Sequence, residues 1–188
     1  MSSQMRVVIL PIGKVNLIIL DKIRKHLISI LPKTICKIHN SAMPIPYEAY
    51  NRARRQYLSN VILMKILDYA ECIRADRVLG VMDNDIYASG MNFIFGEALC
   101  PGKVALISLY RLRPEFYGQK PNPQLLIERA IKEATHEIGH TLGLGHCRNS
   151  RCVMYFSLHI KMTDWKGSRF CENCALKVEE AIQNLTSK

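Results

Sequence analysis

The run His136-Glu137-Ile138-Gly139-His140-Thr141-Leu142-Gly143-Leu144-Gly145-His146, followed directly by Cys147, decides how the rest of the chain is read. Residues four apart stack on one face of a helix, so His136 and His140 can reach a single ion together. His146 could not join them if the helix continued, because it would lie about 9 Å further along the axis at 1.5 Å per residue. Gly143 can take positive φ and turn the chain back, and Gly145 adds slack. Three neutral imidazoles leave a fourth position for water, the arrangement of a catalytic rather than a structural zinc site. Zinc lowers the pKa of such a water to about 7, and Glu137 is placed to take its proton. Imidazole ligands alone would also accept cobalt or nickel.

Moving outward, Asn122-Pro123 is a helix start, with a capping side chain before proline at the first helical position. The helix is expected to run to about Leu142. Ile127, Ile131, Ala134, Ile138 and Leu142 form one apolar stripe for packing on a sheet. His136 and His140 each lie two residues from Ile138, about 200° round the helix, and so face away from that stripe.

Downstream, Cys147, Cys152, Cys171 and Cys174 form a C-x4-C pair and a C-x2-C pair separated by 18 residues. Four thiolates close the tetrahedron of zinc and leave no room for substrate, so this second site reads as structural. Two disulfides, or a redox pair at Cys171 and Cys174, are the other readings of the same residues. The peptide bond between His146 and Cys147 joins the two sets. A short helix is expected from Cys174 to Asn184.

Upstream, Arg6 to Leu10 reads as a first strand closed by Pro11-Ile12-Gly13. A helix follows from Leu17 to Ile30, with Leu20, Ile23, Leu27 and Ile30 at helical spacing, and Pro32 ends it. Thr34 to Ile38 is a second strand. Beyond an irregular connection at Pro44 and Pro46, a helix is expected from Gln56 to Glu71, carrying Leu58, Val61, Ile62, Met64 and Leu67. Val78 to Met82, Phe93 to Leu99 and Val104 to Tyr110 are three further strands. No repeat or composition break divides residues 1–188, which read as one domain with an N-terminal part to about 146 and a C-terminal part from 147.

Hydrophobic content of 48% and charged content of 22% are ordinary for a globular chain. The 26 Lys and Arg exceed the 16 Asp and Glu by 10, but apart from Arg52, Arg54 and Arg55 the positive charge is scattered. No nucleic-acid motif surrounds that patch, so it reads as a solvated surface rather than a nucleic-acid site. The chain shows neither a signal peptide nor an apolar run of membrane-spanning length, pointing to the cytoplasm, where thiols stay reduced. Cys36, Cys72 and Cys100 read as buried small hydrophobes, and His26, His39 and His159 receive no role.

The eleven-residue run resembles the metzincin peptidases, and its continuation Cys147-x4-Cys152-x-Met154, then Cys171-x2-Cys174, is similar to the archaemetzincins in particular. The resemblance implies an α/β (α+β) fold: a twisted, mostly parallel five-stranded sheet over two long helices, with a small zinc-stapled C-terminal subdomain. It implies two Zn2+ per chain, held by His136, His140 and His146 and by the four cysteines, with Met154 in a tight turn supporting the ligands. Some metzincins carry a tyrosine two residues beyond that methionine; here the position is Phe156, which has no hydroxyl, and the neighbouring Tyr155 inherits no role. The implied activity is hydrolysis of peptide bonds by zinc-bound water with Glu137 as general base. The peptide would lie along the edge strand within Asn92 to Ala98. The alternative is a zinc-stapled protein- or nucleic-acid-binding module without catalysis, for which an intact Glu137 would be needless. A monomer acting on a peptide or protein is expected.

Overall fold

A computed structural model describes residues 4–187. The first strand, β1 (Met5–Ile12), leads into α1 (Leu17–Ile30), whose start is capped by the Asn16 side chain accepting from the Ile18 amide at 2.9 Å. Next come β2 (Thr34–Ile38), β3 (Tyr50–Asn51), β4 (Gln56–Leu58) and α2 (Ser59–Cys72). The order continues with β5 (Arg77–Met82), β6 (Ile86–Tyr87), β7 (Gly96–Ala98), β8 (Val104–Ser108), α3 (Pro123–Thr141), α4 (Ile160–Trp165) and α5 (Glu172–Thr186).

The main sheet has five strands in the order β2-β1-β5-β8-β7, parallel except for β7, which pairs antiparallel with β8 at the edge. A smaller sheet, β3-β4-β6, lies beside it. On one face of the main sheet, Val7, Ile9, Leu79, Val81, Ala105 and Ile107 pack with Leu20, Ile23 and Leu27 of α1 and Ala130, Ala134 and Ile138 of α3. On the other face, Leu10, Val78, Val104 and Leu106 pack with Ile62, Leu63, Ile66 and Ala70 of α2. The two long helices of the expected fold are thus α1 and α3, and α2 closes the opposite face.

Several boundaries differ from expectation, each for a tertiary reason. Gln56–Leu58 is strand rather than helix because the Tyr57 amide bonds to Asp85 O at 2.8 Å and the segment pairs with Ile86–Tyr87. Met64 is 45% exposed, so the packed stripe of α2 runs through Leu63 and Ile66 instead. The run Phe93–Leu99 is divided between the sheets. The Ile94 amide bonds to Ile86 O, while Phe95 O accepts from Ser108 N, leaving Gly96–Ala98 as the edge strand. Pro11 stays inside β1, where β2 has already ended and no amide is required on that side. The fifth main strand stops at Ser108, and the last helix spans Glu172–Thr186 rather than Cys174 to Asn184. Cys36 is buried as expected, whereas Cys72 and Cys100 are exposed, since they lie at a helix end and in a loop.

Candidate metal centres and catalytic cleft

The α3 helix begins with Asn122 Oδ1 accepting from Leu125 N at 3.0 Å, before Pro123. Its core stripe is Leu126, Ala130, Ala134, Ile138 and Leu142, with Ile127 and Ile131 half-buried at its margin. From Glu133 to Gly139 the helix is buried all round, because the C-terminal segment covers the side that the sheet does not.

At its end, Gly143 adopts φ +90°, its amide bonds to His140 O at 2.9 Å, and the Leu144 amide reaches back to Gly139 O at 3.1 Å. This is a Schellman termination, and it needs the left-handed residue that glycine provides. The turn brings Leu144 O to within 2.7 Å of His140 Nδ1 and returns the chain so that His146 faces the helix.

His136, His140 and His146 converge, with one ring nitrogen from each lying within 4.8 Å of the others. His136 Nδ1 bonds to Val153 O at 2.8 Å, as His140 Nδ1 does to Leu144 O. A carbonyl oxygen only accepts, so both Nδ1 atoms carry hydrogen and both Nε2 atoms present lone pairs. Those two Nε2 atoms stand 3.0 Å apart. Two facing lone pairs repel unless a cation lies between or beside them, and these residues therefore fit a metal ion. All three imidazoles are held toward their neutral, ligating form: burial lowers each pKa, and the Lys166 charge adds to the effect.

Glu137 is 4% exposed, and burial with the neighbouring Glu133 pushes its carboxyl well above the ordinary range, partly opposed by Lys166. A divalent cation at the histidines would favour the carboxylate again. Glu137 lies against Gly96 of the edge strand: a Cβ there would stand 2.7 Å from both Glu137 Cγ and Oε1. A cleft opens here. Phe93 to Ala98 form one wall, Phe156, Ser157 and Leu158 another, and Glu133, Glu137 and the histidines the floor. Phe156 packs its ring 4.6 Å from that of His146, while Tyr155 is not among the lining residues.

The four expected cysteines also meet, their sulfurs within 4.8 Å of one another. No disulfide joins any of the seven cysteines; Cys147 Sγ and Cys171 Sγ are 3.8 Å apart. The Asn149 amide donates to Cys147 Sγ at 3.4 Å and the Cys171 amide to Cys152 Sγ at 3.3 Å. The Cys147 amide bonds to Met154 O at 2.9 Å, so the junction between the two sets is tied to the methionine turn. Met154 is fully buried beneath α3, and its sulfur occupies the space that a Cβ on Gly139 would need.

Sequence reasoning missed four contributors. Glu133 could have been found, since it lies one turn before Glu137 on the same helix. Gly139 and Gly96 were also legible in principle, because glycine inside a helix or strand is unfavourable and usually marks close approach. Lys166 carried no signal: it is an isolated lysine in a polar stretch, yet only 1% exposed.

The model of peptidase family M54 matches residues 3–180. The chain is 49% identical to archaemetzincin from Methanocaldococcus jannaschii over 182 residues, 94% of each chain. It is 43% identical to archaemetzincin from Pyrococcus furiosus over 94% of this chain and 93% of that one. The crystal structure of archaemetzincin from Methanopyrus kandleri superposes with a TM-score of 0.80 at 35% identity, covering 96% of both chains. A zinc-dependent peptidase from Methanocorpusculum labreanum gives 0.82 at 26% identity, covering 92% of this chain and 99% of the other. The chain belongs to peptidase family M54, the archaemetzincins, and is a zinc metallopeptidase.

Proposed function

We propose that His136, His140 and His146 hold the catalytic zinc, that Cys147, Cys152, Cys171 and Cys174 hold a second, structural zinc, and that Glu137 is the general base for peptide-bond hydrolysis. The observation that carries the reading is the pair of facing Nε2 atoms at 3.0 Å, with both opposite ring nitrogens committed to carbonyls. Zinc bound there supplies Lewis acidity toward water and the scissile carbonyl.

The protein supplies the rest. Glu137, shielded between α3 and the edge strand, takes a proton from the attacking water and passes it to the leaving amine. A peptide lying along Phe93 to Ala98 can continue the sheet, since among the described residues β7 has a partner only on its β8 side. Met154 supports the turn that carries Val153 O, and hence the His136 ring. The cysteine set fixes the third histidine through the peptide bond from His146 to Cys147. Phe156 shields His146 without offering a proton.

In the same reading residues 1–188 are one domain, with the C-terminal part from Cys147 closing the cleft. The enzyme is taken to act as a cytoplasmic monomer on peptides or proteins rather than on nucleic acid. Exposed, unbridged Cys72 and Cys100 suit a reducing compartment. No helix among the described residues is long and apolar enough to cross a membrane.

Substitution separates the roles: Glu137→Gln should keep zinc and lose hydrolysis, whereas His140→Ala should lose metal and hydrolysis together. Loss of zinc from Glu137→Gln would show that Glu137 is needed to build the site.

A further inference from the structure

Behind the His136 ring, on its Nδ1 side, a buried charge pair joins α3 to the chain beyond the methionine turn. The side chain of Lys166 has no exposed surface, and that of Glu133 is 4% exposed. Lys166 Nζ lies 3.0 Å from Glu133 Oε1, 3.4 Å from Tyr155 O and 3.5 Å from His136 Nδ1. Because His136 Nδ1 gives its hydrogen to Val153 O, the ammonium bonds to Glu133 and Tyr155 and only approaches the ring. Glu133 Oε1 also accepts from Thr163 Oγ1 at 3.1 Å.

Burying an ion pair is not in itself stabilising, and apolar replacements of similar volume are often neutral or better. The position of this pair gives it another use. Val153 and Tyr155 flank Met154, and their carbonyls are held by His136 and Lys166 respectively, while Glu133 and His136 are neighbours on α3. The contacts form a closed ring: Glu133, Lys166, Tyr155, Val153, His136 and back along one turn of helix. Ligating histidines depend on the acceptor at their second nitrogen for tautomer and orientation.

We infer that Lys166 and Glu133 are positioning residues for the three-histidine site, fixing the turn that presents Val153 O to His136 and so aiming its Nε2. The inference rests on the reading that these histidines hold a metal. A control is built into the same helix: one turn earlier, Arg129 bonds Asp164 at 2.7 and 2.8 Å and Leu112 O at 2.9 Å. That pair also joins α3 to α4 but makes none of its hydrogen bonds to the methionine turn.

The test uses full-length protein with the cysteine site left zinc-loaded and the histidine site stripped and refilled with Co(II). The double variant Lys166→Met/Glu133→Gln should bind Co(II) and Zn(II) at the histidines about 10–100-fold more weakly, the usual effect of losing such support. Its visible Co(II) spectrum should shift, while thermal stability stays near that of the wild type. The control Arg129→Met/Asp164→Asn should keep the wild-type spectrum and affinity. If the first double variant retains the wild-type spectrum and affinity, or if both lose affinity equally, the inference is overturned. Should the double variant not fold, Thr163→Val, which frees one of the two bonds to Glu133, replaces it. Weaker metal binding by that variant supports the inference, and unchanged binding contradicts it. Wild-type protein taking up no Co(II) at the histidines would instead overturn the reading of the triad, and this inference with it.

Discussion

A single methyl group at Gly96 tests how tightly Glu137 must be held. A Cβ there would lie 2.7 Å from Glu137 Cγ and Oε1 and 2.8 Å from Leu106 O, where ordinary contact begins at 3.4 Å. The shortfall against the carboxylate, 3.4 less 2.7, is 0.7 Å. Leu106 O is backbone of β8, paired on both sides within the sheet, so the edge strand cannot settle inward. Either β7 lifts off β8 or the Glu137 carboxylate swings away. Misplacing a catalytic group by about 1 Å can cost of order 10²-fold, so a displacement somewhat smaller than that should lower kcat/KM by about 10–100-fold. Overpacking costs about 1–3 kcal/mol. At about 2–4 °C per kcal/mol for a chain of this size, Tm should fall by about 2–12 °C. The assay is cleavage of a quenched-fluorescence peptide library by Gly96→Ala, beside zinc analysis and calorimetry. Zinc content should be unchanged, since the three atoms nearest to that Cβ belong to Glu137 and Leu106 and none to an imidazole. Wild-type kcat/KM in this variant would refute the close placement of Glu137 against the edge strand, and loss of zinc would show that the methyl disturbs the ligands instead.

Replacing Cys171 by Ser should lower metal affinity at the histidines as well as at the cysteines, because His146 and Cys147 share a peptide bond. Unchanged affinity at the histidines, measured by chelator competition, would show the two sites to be independent. Gly143→Ala places an L side chain at φ +90°, with only Pro101 Cβ nearby at 3.7 Å, so its cost is conformational rather than steric. That cost is about 1–2 kcal/mol, seen as a lower Tm together with weaker metal binding, since Leu144 O and His146 both follow the turn. An unperturbed variant would mean the turn is not what delivers His146. Thiol labelling of the native zinc-loaded protein near pH 8 should modify exposed Cys72 and Cys100 and spare Cys36, whose thiol burial pushes up to about 12. Removing zinc should then expose Cys147 and Cys171; their rapid labelling beforehand would count against the structural site.

The site was more legible than the fold around it. Metal chemistry dictates residue type and spacing, so His136, His140 and His146 with Gly143 between them stood out, as did the four cysteines. The α3 start followed from a local rule, Asn122 capping ahead of Pro123, and the α1 limits from apolar periodicity and Pro32, while the Asn16 cap emerged only in the structure. What escaped was decided by distant partners. Gln56 to Leu58 has helical periodicity and became strand because Asp85 and Ile86 lie alongside. Phe93 to Leu99 reads as one strand and serves two sheets. Lys166 has no local pattern at all; only the fold sets it against Glu133, and no spacing rule anticipates a contact over 33 residues.

The most direct test of the central claim is zinc content and peptide cleavage measured side by side on wild-type and Glu137→Gln protein. The account predicts two zinc ions per chain in both, with hydrolysis falling by about 10²–10⁴-fold in the variant, the contribution of a placed acid–base group. Two zinc ions in both proteins with equal cleavage rates would contradict it.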